Sequence, residues 1–252
     1  MKKNILMMGV LFSVITLNVA AQGKDQIPDK YLKKTQVASS LQLLPPPPEP
    51  GTTLFQYDRD RYLWGKLQRN TPRGELAVRD ADVSAKGICV AFSEAFGIEI
   101  NHENCPEIHT LVLHMREDAG DLSTDEAKKY YKRVRPFVLF DEHTSIPDAE
   151  QWFVKSPSYP SGHTAMGWAE ALVLAEINVE NQQAILQRGY DIGTSRVIAG
   201  FHYQSDVDNA RIVAAAVVAR LHADKAFAKQ LAKAKKEFAK LKKKGLIKLN
   251  AN

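Results

Sequence analysis

The sequence predicts an all-α fold, a helical bundle formed by a single domain. Apolar residues recur with helical spacing, or strong helix formers dominate, over most of the chain beyond residue 80. Few stretches alternate apolar and polar residues for long enough to form strands. The 252 residues, of which 44% are hydrophobic and 25% charged, suit one globular domain with a full core.

Residues 1–21 are predicted to be a cleaved signal peptide. Lys2 and Lys3 precede an apolar run over 5–19, and two alanines follow it before Gln22. No cysteine follows for lipid attachment, and the run is too short for a spanning helix, so we expect no membrane anchor. The sequence therefore predicts export, and we place the mature protein in the periplasm.

Residues 22–50 are predicted to form an extended, proline-rich arm, and residues 51–252 the folded domain. Four prolines at 45–48, followed by Pro50, cannot continue a helix. Such a run favours an extended segment that lies over the domain or over a partner.

Six helices are predicted inside the domain, at 82–96, 107–115, 123–134, 163–177, 181–198 and 206–221. Charged residues and histidines form three clusters near the ends of these helices: one on 123–134, one at the start of 163–177, and one that joins the end of 181–198 to the start of 206–221. These clusters are the best candidates for a functional site.

The first cluster lies on the predicted helix 123–134. Ser123 and Glu126 have the spacing of a capping box at its start. Lys128 and Arg135 are seven residues apart, which places both on one helix face, and Pro136 then ends the helix with Arg135 extended. The alternative is a solvated basic face, because other basic residues lie nearby: Lys129, Lys132 and Arg133.

The second cluster is the run Pro160, Ser161, Gly162 and His163. Pro160 and Gly162 predict a tight turn at the start of the helix 163–177. The free backbone N–H groups of Ser161 to His163 would then face an anion. The alternative is an ordinary helix cap followed by a polar histidine.

The third cluster joins Ser195 and Arg196, near the end of one helix, to His202 and Asp206. Asp206 is four residues beyond His202, so its carboxylate can accept a hydrogen bond from one ring nitrogen. The other nitrogen would keep its lone pair for attack on phosphorus. The alternative is a buried His–Asp pair that only stabilises the fold.

Together the three clusters supply three cations, two histidines and a carboxylate. A phosphate monoester requires such a set: fixed positive charge for the phosphoryl oxygens, one imidazole to attack phosphorus and one to protonate the leaving oxygen. The residues therefore predict a metal-free phosphatase that needs no cofactor.

The clusters also match the signature of the phosphatidic acid phosphatase type 2 superfamily, K-x6-R-P, P-S-G-H and S-R-x5-H-x3-D. Further stretches resemble the bacterial class A non-specific acid phosphatases: EDAGDL, SYPSGHT, WAEALVLAEIN, SRVIAGFHYQSDVD, KAKKEFAK and the proline run. The resemblance covers about residues 43–244. Pro157 departs from it, because these enzymes more often have glycine there. The resemblance therefore does not extend to the shape of that loop or to the substrate preference.

The resemblance implies an all-α fold of the phosphatidic acid phosphatase type 2 and vanadium haloperoxidase type, and an exported homo-oligomer that hydrolyses small phosphomonoesters at acid pH. It implies His202 as nucleophile, Asp206 as its orienting partner and His163 as the acid and later the base. The phosphate-binding residues it implies are Lys128, Arg135, Ser161, Gly162 and Arg196. Transfer of the phosphoryl group to acceptors other than water stays open.

Cys89 and Cys105 would enclose a loop of about fifteen residues, which an exported protein could close with a disulfide. The alternative is two buried free thiols. His102, His109 and His114 lie close to Cys105 in sequence, but their spacing matches no common zinc pattern. We therefore predict no metal site.

The formal net charge of +5 is unevenly distributed. Residues 224–248 hold ten lysines against two acidic residues, a net charge of +8, and without this tail and the two signal lysines the rest carries −5. Apolar residues mainly three or four apart predict a basic C-terminal helix that packs one stripe on the domain: Leu221, Phe227, Leu231, Ala234, Phe238 and Leu241. With its lysines in water, we expect no nucleic-acid partner.

Three alternatives to a soluble phosphatase stay open at this point. A vanadium-dependent haloperoxidase would use the same superfamily pocket for another reaction, although the class A resemblance argues against it. A membrane lipid phosphatase would require spanning segments that the mature sequence does not contain. A non-catalytic protein could bind polyanions through the lysine-rich tail.

Overall fold

The computed structural model describes residues 30–249, and within that range the chain is helical and contains no β-strand. This confirms the all-α fold. The signal peptide predicted at 1–21 and the first part of the predicted arm lie outside the described residues. No helix in the described range is long and apolar enough to cross a bilayer.

A short 3-10 turn at Lys34–Gln36 precedes the α-helices of the described range. The helices are α1 (Ser40–Leu43), α2 (Thr53–Gln68), α3 (Pro72–Arg79), α4 (Ala85–Phe96), α5 (Pro106–Ala119), α6 (Asp121–Tyr131), α7 (Pro136–Leu139), α8 (Pro147–Phe153), α9 (Gly162–Ile177), α10 (Gln182–Ile198), α11 (Gln204–His222) and α12 (Lys225–Lys243).

Helix α9 forms the centre of the bundle, packed between α10 and α11. It is apolar on nearly all sides, as expected of a helix surrounded by others. Glycines let α10 approach closely: a Cβ at Gly189 would lie 2.3 Å from the Cβ of Ala171, and one at Gly167 would lie 2.8 Å from Ile192. A short connection joins α9 to α10, so the start of α9 lies near the end of α10 and the start of α11.

The basic C-terminal helix α12 packs on α5 through its apolar stripe, as predicted. Phe227, Leu231 and Phe238 are buried, whereas most of the lysines are exposed. The carboxylate of Glu237 accepts hydrogen bonds from the backbone N–H groups of Glu107 and Ile108, at the start of α5. These N–H groups have no partner within their own helix, so α12 also caps α5.

The described part of the N-terminal arm lies on its own domain. The carboxylate of Asp118 accepts hydrogen bonds from the backbone N–H groups of Tyr31 and Leu32, at 3.0 and 2.9 Å. Further along, the Tyr159 hydroxyl donates to the carbonyl of Pro45 at 2.7 Å. The proline run therefore follows the surface of the fold, beside segments that carry site residues.

The predicted start of the helix that carries Lys128 was wrong. Helix α6 begins at Asp121, directly after a break at Gly120, so Ser123 lies inside it. The Ser123 hydroxyl donates to the carbonyl of Ala119 at 2.6 Å instead of capping the helix. The break, rather than a capping box, ends α5 and starts α6.

The predicted end of this helix was also wrong. Helix α6 stops at Tyr131, where Lys132 adopts a left-handed conformation with φ of 47°. Arg135 therefore does not share a helix face with Lys128. Its backbone is extended, as predicted from the following proline, but Pro136 begins the short helix α7 rather than ending α6.

The disulfide considered for Cys89 and Cys105 is not formed in the structure. Both cysteines are buried free thiols, and burial raises the pKa of Cys89 to about 12 and that of Cys105 to about 11. The Cys105 thiol instead makes a weak hydrogen bond to the carbonyl of Glu99, at 3.7 Å. The two cysteines therefore act as core residues.

Candidate active site

His202 lies in the turn between α10 and α11 and is buried. Its Nδ1 is 3.2 Å from Oδ2 of Asp206, and its Nε2 is 3.0 Å from Nη1 of Arg135. A guanidinium can only donate, so Nε2 must be the acceptor, and the ring proton sits on Nδ1, where it is donated to Asp206. The lone pair of Nε2 therefore faces the cations of the site.

Asp206 lies in the first turn of α11 and is fully buried. Besides the ring of His202, its Oδ2 accepts from the backbone N–H of Tyr203 at 2.9 Å. Its Oδ1 accepts from Nη1 of Arg133 at 2.6 Å. Bonds on both oxygens fix the plane of the carboxylate and thereby the orientation of the imidazole.

His163 lies in the first turn of α9, on the wall of the same pocket as His202. Its Nε2 is 3.4 Å from the carbonyl oxygen of Ala81, so this nitrogen carries a proton. The pocket has a volume of about 500 Å³ and is also lined by Lys128, Arg135 and Gly162.

Burial and the surrounding positive charge lower the pKa of both histidines. For His163, burial, then the charge of Arg196 and then His202 hold the pKa well below its ordinary value. For His202, burial, then Arg135 and then Lys128 do the same. These surroundings favour neutral imidazoles and suit an anion that offsets the positive charge.

Arg135 is held against the pocket by backbone carbonyls. Its Nε donates to Ser156 at 2.8 Å, and its Nη1 donates to Phe201 at 3.0 Å. The guanidinium also lies over the ring of Phe153, 4.8 Å from the centroid. Burial lowers the pKa of Arg135 to about 10, so it keeps its charge at acid and neutral pH.

Arg196 lies behind the pocket wall, near the end of α10, and is 1% exposed. Its Nε and Nη1 have no hydrogen-bond partner among the residues that the structure describes. Its guanidinium stacks on the ring of Phe201, 4.6 Å from the centroid. Buried charged donors without acceptors are costly, so a bound anion would satisfy them.

Lys128 reaches the pocket from α6 and donates from Nζ to the carbonyl of Pro157 at 3.0 Å. Burial, followed by the charge of Arg135, lowers its pKa to about 7. Lys128 and Arg135 therefore line the same pocket although they do not share a helix. A phosphoryl anion would favour the charged form of Lys128.

The turn before α9 offers fewer donors than the sequence predicted. The N–H of Ser161 donates to the carbonyl of Asp206 at 3.1 Å, and its hydroxyl caps the helix by accepting from Thr164. The N–H groups of Gly162 and His163 belong to the first helical turn and have no partner within the helix. These two are the backbone donors available for an anion.

Ser195, the motif residue beside Arg196, does not face the pocket. It is buried, and its hydroxyl is 2.5 Å from Oδ2 of Asp80 and 2.8 Å from the carbonyl of Asp191. Asp80 also pairs with Arg188 on α10. Ser195 therefore helps to tie α10 to the segment after α3.

Two residues behind the site, Arg133 and Asp58, were not among the predicted site residues. Arg133 was counted only in the alternative of a solvated basic face, yet it is buried and pairs with both Asp206 and Asp58. Because α6 ends at Tyr131, the chain turns at Lys132 and Arg133 points inward. Pro136 was only a partial signal, because it disfavours a helical conformation at Arg135 but does not indicate that α6 ends at Tyr131.

Comparison with known proteins identifies the family. Residues 119–228 match the model of the PAP2 superfamily. The chain is 58% identical to a non-specific acid phosphatase of Providencia stuartii over 213 residues. This aligned region covers 84% of this chain and 86% of the relative. The chain belongs to the bacterial non-specific acid phosphatases of the PAP2 superfamily.

More distant relatives agree with this assignment. A non-specific acid phosphatase of Salmonella typhimurium is 44% identical over 77% of this chain and 78% of the relative. An acid phosphatase of Zymomonas mobilis is 32% identical over 90% of this chain and 88% of the relative. The superfamily match spans the segments that carry Lys128, Arg135, His163, Arg196 and His202.

Among residues 30–249 no group of three or more His, Cys, Asp or Glu side chains is arranged to hold a metal ion. The rings of His102 and His109, which lie near Cys105 in sequence, have their centroids 6.3 Å apart. That the reaction needs no metal and no cofactor stays a prediction.

Proposed function

We propose that this acid phosphatase is exported to the periplasm and hydrolyses small phosphate monoesters through a phosphohistidine on His202, without a metal. The observation that carries the proposal is the state of His202: Asp206 and Arg135 together leave its Nε2 lone pair facing a pocket of fixed positive charge. A nucleophile for phosphorus needs that combination.

In the first step, the phosphoryl oxygens bind to Lys128, Arg135 and Arg196 and to the first-turn N–H groups of α9. Nε2 of His202 attacks phosphorus in line with the leaving oxygen. The P–N bond forms as the P–O bond breaks, and protonated His163 gives its proton to the departing alkoxide. Asp206 stabilises the positive charge that develops on the imidazole.

In the second step, neutral His163 takes a proton from water as the water oxygen attacks phosphorus. The P–N bond breaks, inorganic phosphate forms, and His202 recovers its lone pair. An alcohol in place of water would accept the phosphoryl group by the same step. We therefore propose phosphotransferase activity at high alcohol concentration.

The decisive experiment compares the wild type with His202→Ala on a panel of phosphomonoesters. We expect the wild type to hydrolyse many of them, with activity unaffected by EDTA, and the variant to lose activity. Rapid quenching in alkali, which spares the P–N bond, followed by mass spectrometry should find the phosphoryl group on residue 202. A folded His202→Ala variant with normal turnover, or loss of wild-type activity in EDTA, would contradict the proposal.

Export and assembly complete the proposal. The mature chain would begin near Gln22, form a homo-oligomer and bind neither nucleic acid nor membrane. N-terminal sequencing of protein from a periplasmic extract, with mass measurement by light scattering, tests these points. A mature protein that retains its first 21 residues, or that is monomeric, would contradict them.

A further inference from the structure

A second arginine and a second carboxylate lie behind the pair of His202 and Asp206. Nη1 of Arg133 donates to Oδ1 of Asp206 at 2.6 Å, and Nη2 donates to Oδ2 of Asp58 at 2.8 Å. The side chains of Asp58 and Asp206 are fully buried, and that of Arg133 is 7% exposed. The four residues form one buried network that ends at the Nε2 lone pair of His202.

Asp58 holds the arginine in place from helix α2. Its Oδ1 accepts from the backbone N–H of Ser205 at 2.8 Å, and its Oδ2 accepts from the Ser205 hydroxyl at 2.6 Å. The same hydroxyl accepts from Nη1 of Arg133 at 2.8 Å. The guanidinium also lies 4.0 Å above the ring of Tyr203. The position of Arg133 is therefore fixed on several sides.

The charges of this network bear on the protonation of His202. A buried carboxylate beside an imidazole normally favours the imidazolium, which has no lone pair for attack. Arg133 stays charged at all relevant pH values and makes the shorter bond to Asp206. It therefore offsets part of the negative charge of Asp206, which would otherwise act on His202 alone.

We propose that Arg133, held in place by Asp58, is a positioning residue for the nucleophile. It orients Asp206 and offsets part of the negative charge of that carboxylate, so that Nε2 of His202 stays unprotonated in acid. The inference rests on the proposed function, in which His202 is the nucleophile. Arg133 does not belong to the three sequence clusters that match the superfamily signature, and it acts only through Asp206.

The other charged groups around His202 come from different elements. Arg135 contacts Nε2, and Lys128 on α6 and His163 on α9 line the same pocket. Arg196 on α10 acts on the ring through its charge from behind the pocket wall. Asp206 is the carboxylate in contact with the ring. Since a substitution at Arg133 leaves these groups in place, a change in the pH profile would report on the network behind Asp206.

The test is the pH dependence of kcat for the full mature chain. In Arg133→Met, the acid limb should move to higher pH by on the order of one unit, since Asp206 then favours the imidazolium. Activity should fall about tenfold further at pH 5 than at pH 7, with KM little changed. In Arg133→Lys, which keeps the charge, the limb should stay at the wild-type position.

Arg211→Met is the matched control. Arg211 also lies on an aromatic ring, 3.9 Å from the centroid of Tyr190, and pairs with Asp208 on α11, but it does not contact His202 or Asp206. The same substitution there should leave the acid limb unchanged. A loss in Arg133→Met that is equal at all pH values would show a merely structural role and overturn the proposal.

Asp58→Asn gives an independent answer if Arg133→Met does not fold. The amide oxygen of this variant can still accept from Arg133, while the loss of the Asp58 charge leaves the guanidinium to offset Asp206 alone, so the acid limb should move to lower pH. A limb that stays in place or moves to higher pH would overturn the proposal. Circular dichroism confirms folding, and ¹⁵N NMR of His202 should show the same direction of change as the kinetics.

The fate of the label separates this inference from the proposed function. If alkaline quenching of the wild type finds no phosphoryl group on residue 202, the proposed mechanism fails. If the wild type is labelled there but the profile of Arg133→Met is unshifted, the role of Arg133 fails and the mechanism stands.

Discussion

At the scale of single residues, the two histidines of the pocket have different environments. His202 is held at both ring nitrogens by a carboxylate and a guanidinium, whereas His163 contacts a backbone carbonyl and otherwise faces the cavity. A nucleophile needs a fixed lone pair, while an acid must exchange protons with changing partners. A variant of His202 should therefore affect the attack on phosphorus, and a variant of His163 should affect proton transfer to the leaving group.

His163→Asn should discriminate between leaving groups. With an alkyl phosphate, kcat should fall by about 10²- to 10⁴-fold, because the alkoxide leaves unprotonated. With p-nitrophenyl phosphate the loss should be much smaller, since nitrophenolate leaves without a proton. His143→Asn serves as control, because His143 is exposed and pairs with Glu150. Equal losses on both substrates would contradict the acid role.

Arg196→Met should separate binding of the anion from stability. Two of the Arg196 nitrogens are buried without a partner among the described residues, so removing the charge should leave the unliganded melting temperature equal or higher. The rise in melting temperature caused by inorganic phosphate should shrink, and kcat/KM should fall on the order of 10²-fold. A lower unliganded melting temperature with unchanged phosphate stabilisation would contradict this role.

At the scale of elements, predictions worked where an apolar pattern was strong. The stripe of α12 was predicted from its periodicity, except that Leu221 belongs to the end of α11. The span of α9 was predicted within one residue, because a helix buried on all faces is a long, nearly continuous apolar run. Helix α2 was missed because its apolar residues show almost no preferred face, although Thr52 caps it. The break at Gly120 depends on packing against Met166 and was not visible in the sequence.

Phe238→Ala tests how firmly α12 belongs to the domain. Phe238 is buried and packs on the ring of Phe96, with centroids 5.6 Å apart. Its truncation should lower the free energy of unfolding by about 3 to 5 kcal/mol in urea titrations. Lys240→Ala, on the exposed face of the same helix, should change it by less than about 0.5 kcal/mol. Equal effects would mean that α12 is not packed.

At the scale of the whole molecule, the site is assembled from segments far apart in the chain. The sequence motifs singled out four residues that the structure places around one pocket: Lys128, Arg135, His163 and His202. They could not predict that Ser161 uses its N–H on Asp206, or that Asp58 reaches the network from α2. Both contacts depend on how helices pack, which local spacing does not contain.

The distribution of positive charge over the site also predicts an acid optimum. Burial of the ring, followed by the charges of Arg135 and Lys128, holds the pKa of His202 well below its ordinary value, so the nucleophile stays neutral in acid, where an exposed histidine would be protonated. Burial, followed by the charge of Arg196, lowers the pKa of His163, so its proton must come with the substrate. A phosphate monoester keeps one proton up to its second pKa, about 6.

We therefore expect kcat/KM for an alkyl phosphate to be greatest in acid and to fall above about pH 6, the second pKa of the ester. Above that pH the ester arrives as a dianion, and His163 lacks the proton that the leaving oxygen needs. A thiophosphate ester, whose second pKa is lower, should shift the falling limb towards acid by the difference between the two values. A maximum of kcat/KM above neutral pH, or a falling limb that does not move with the second pKa of the substrate, would show that the proton does not come from the substrate.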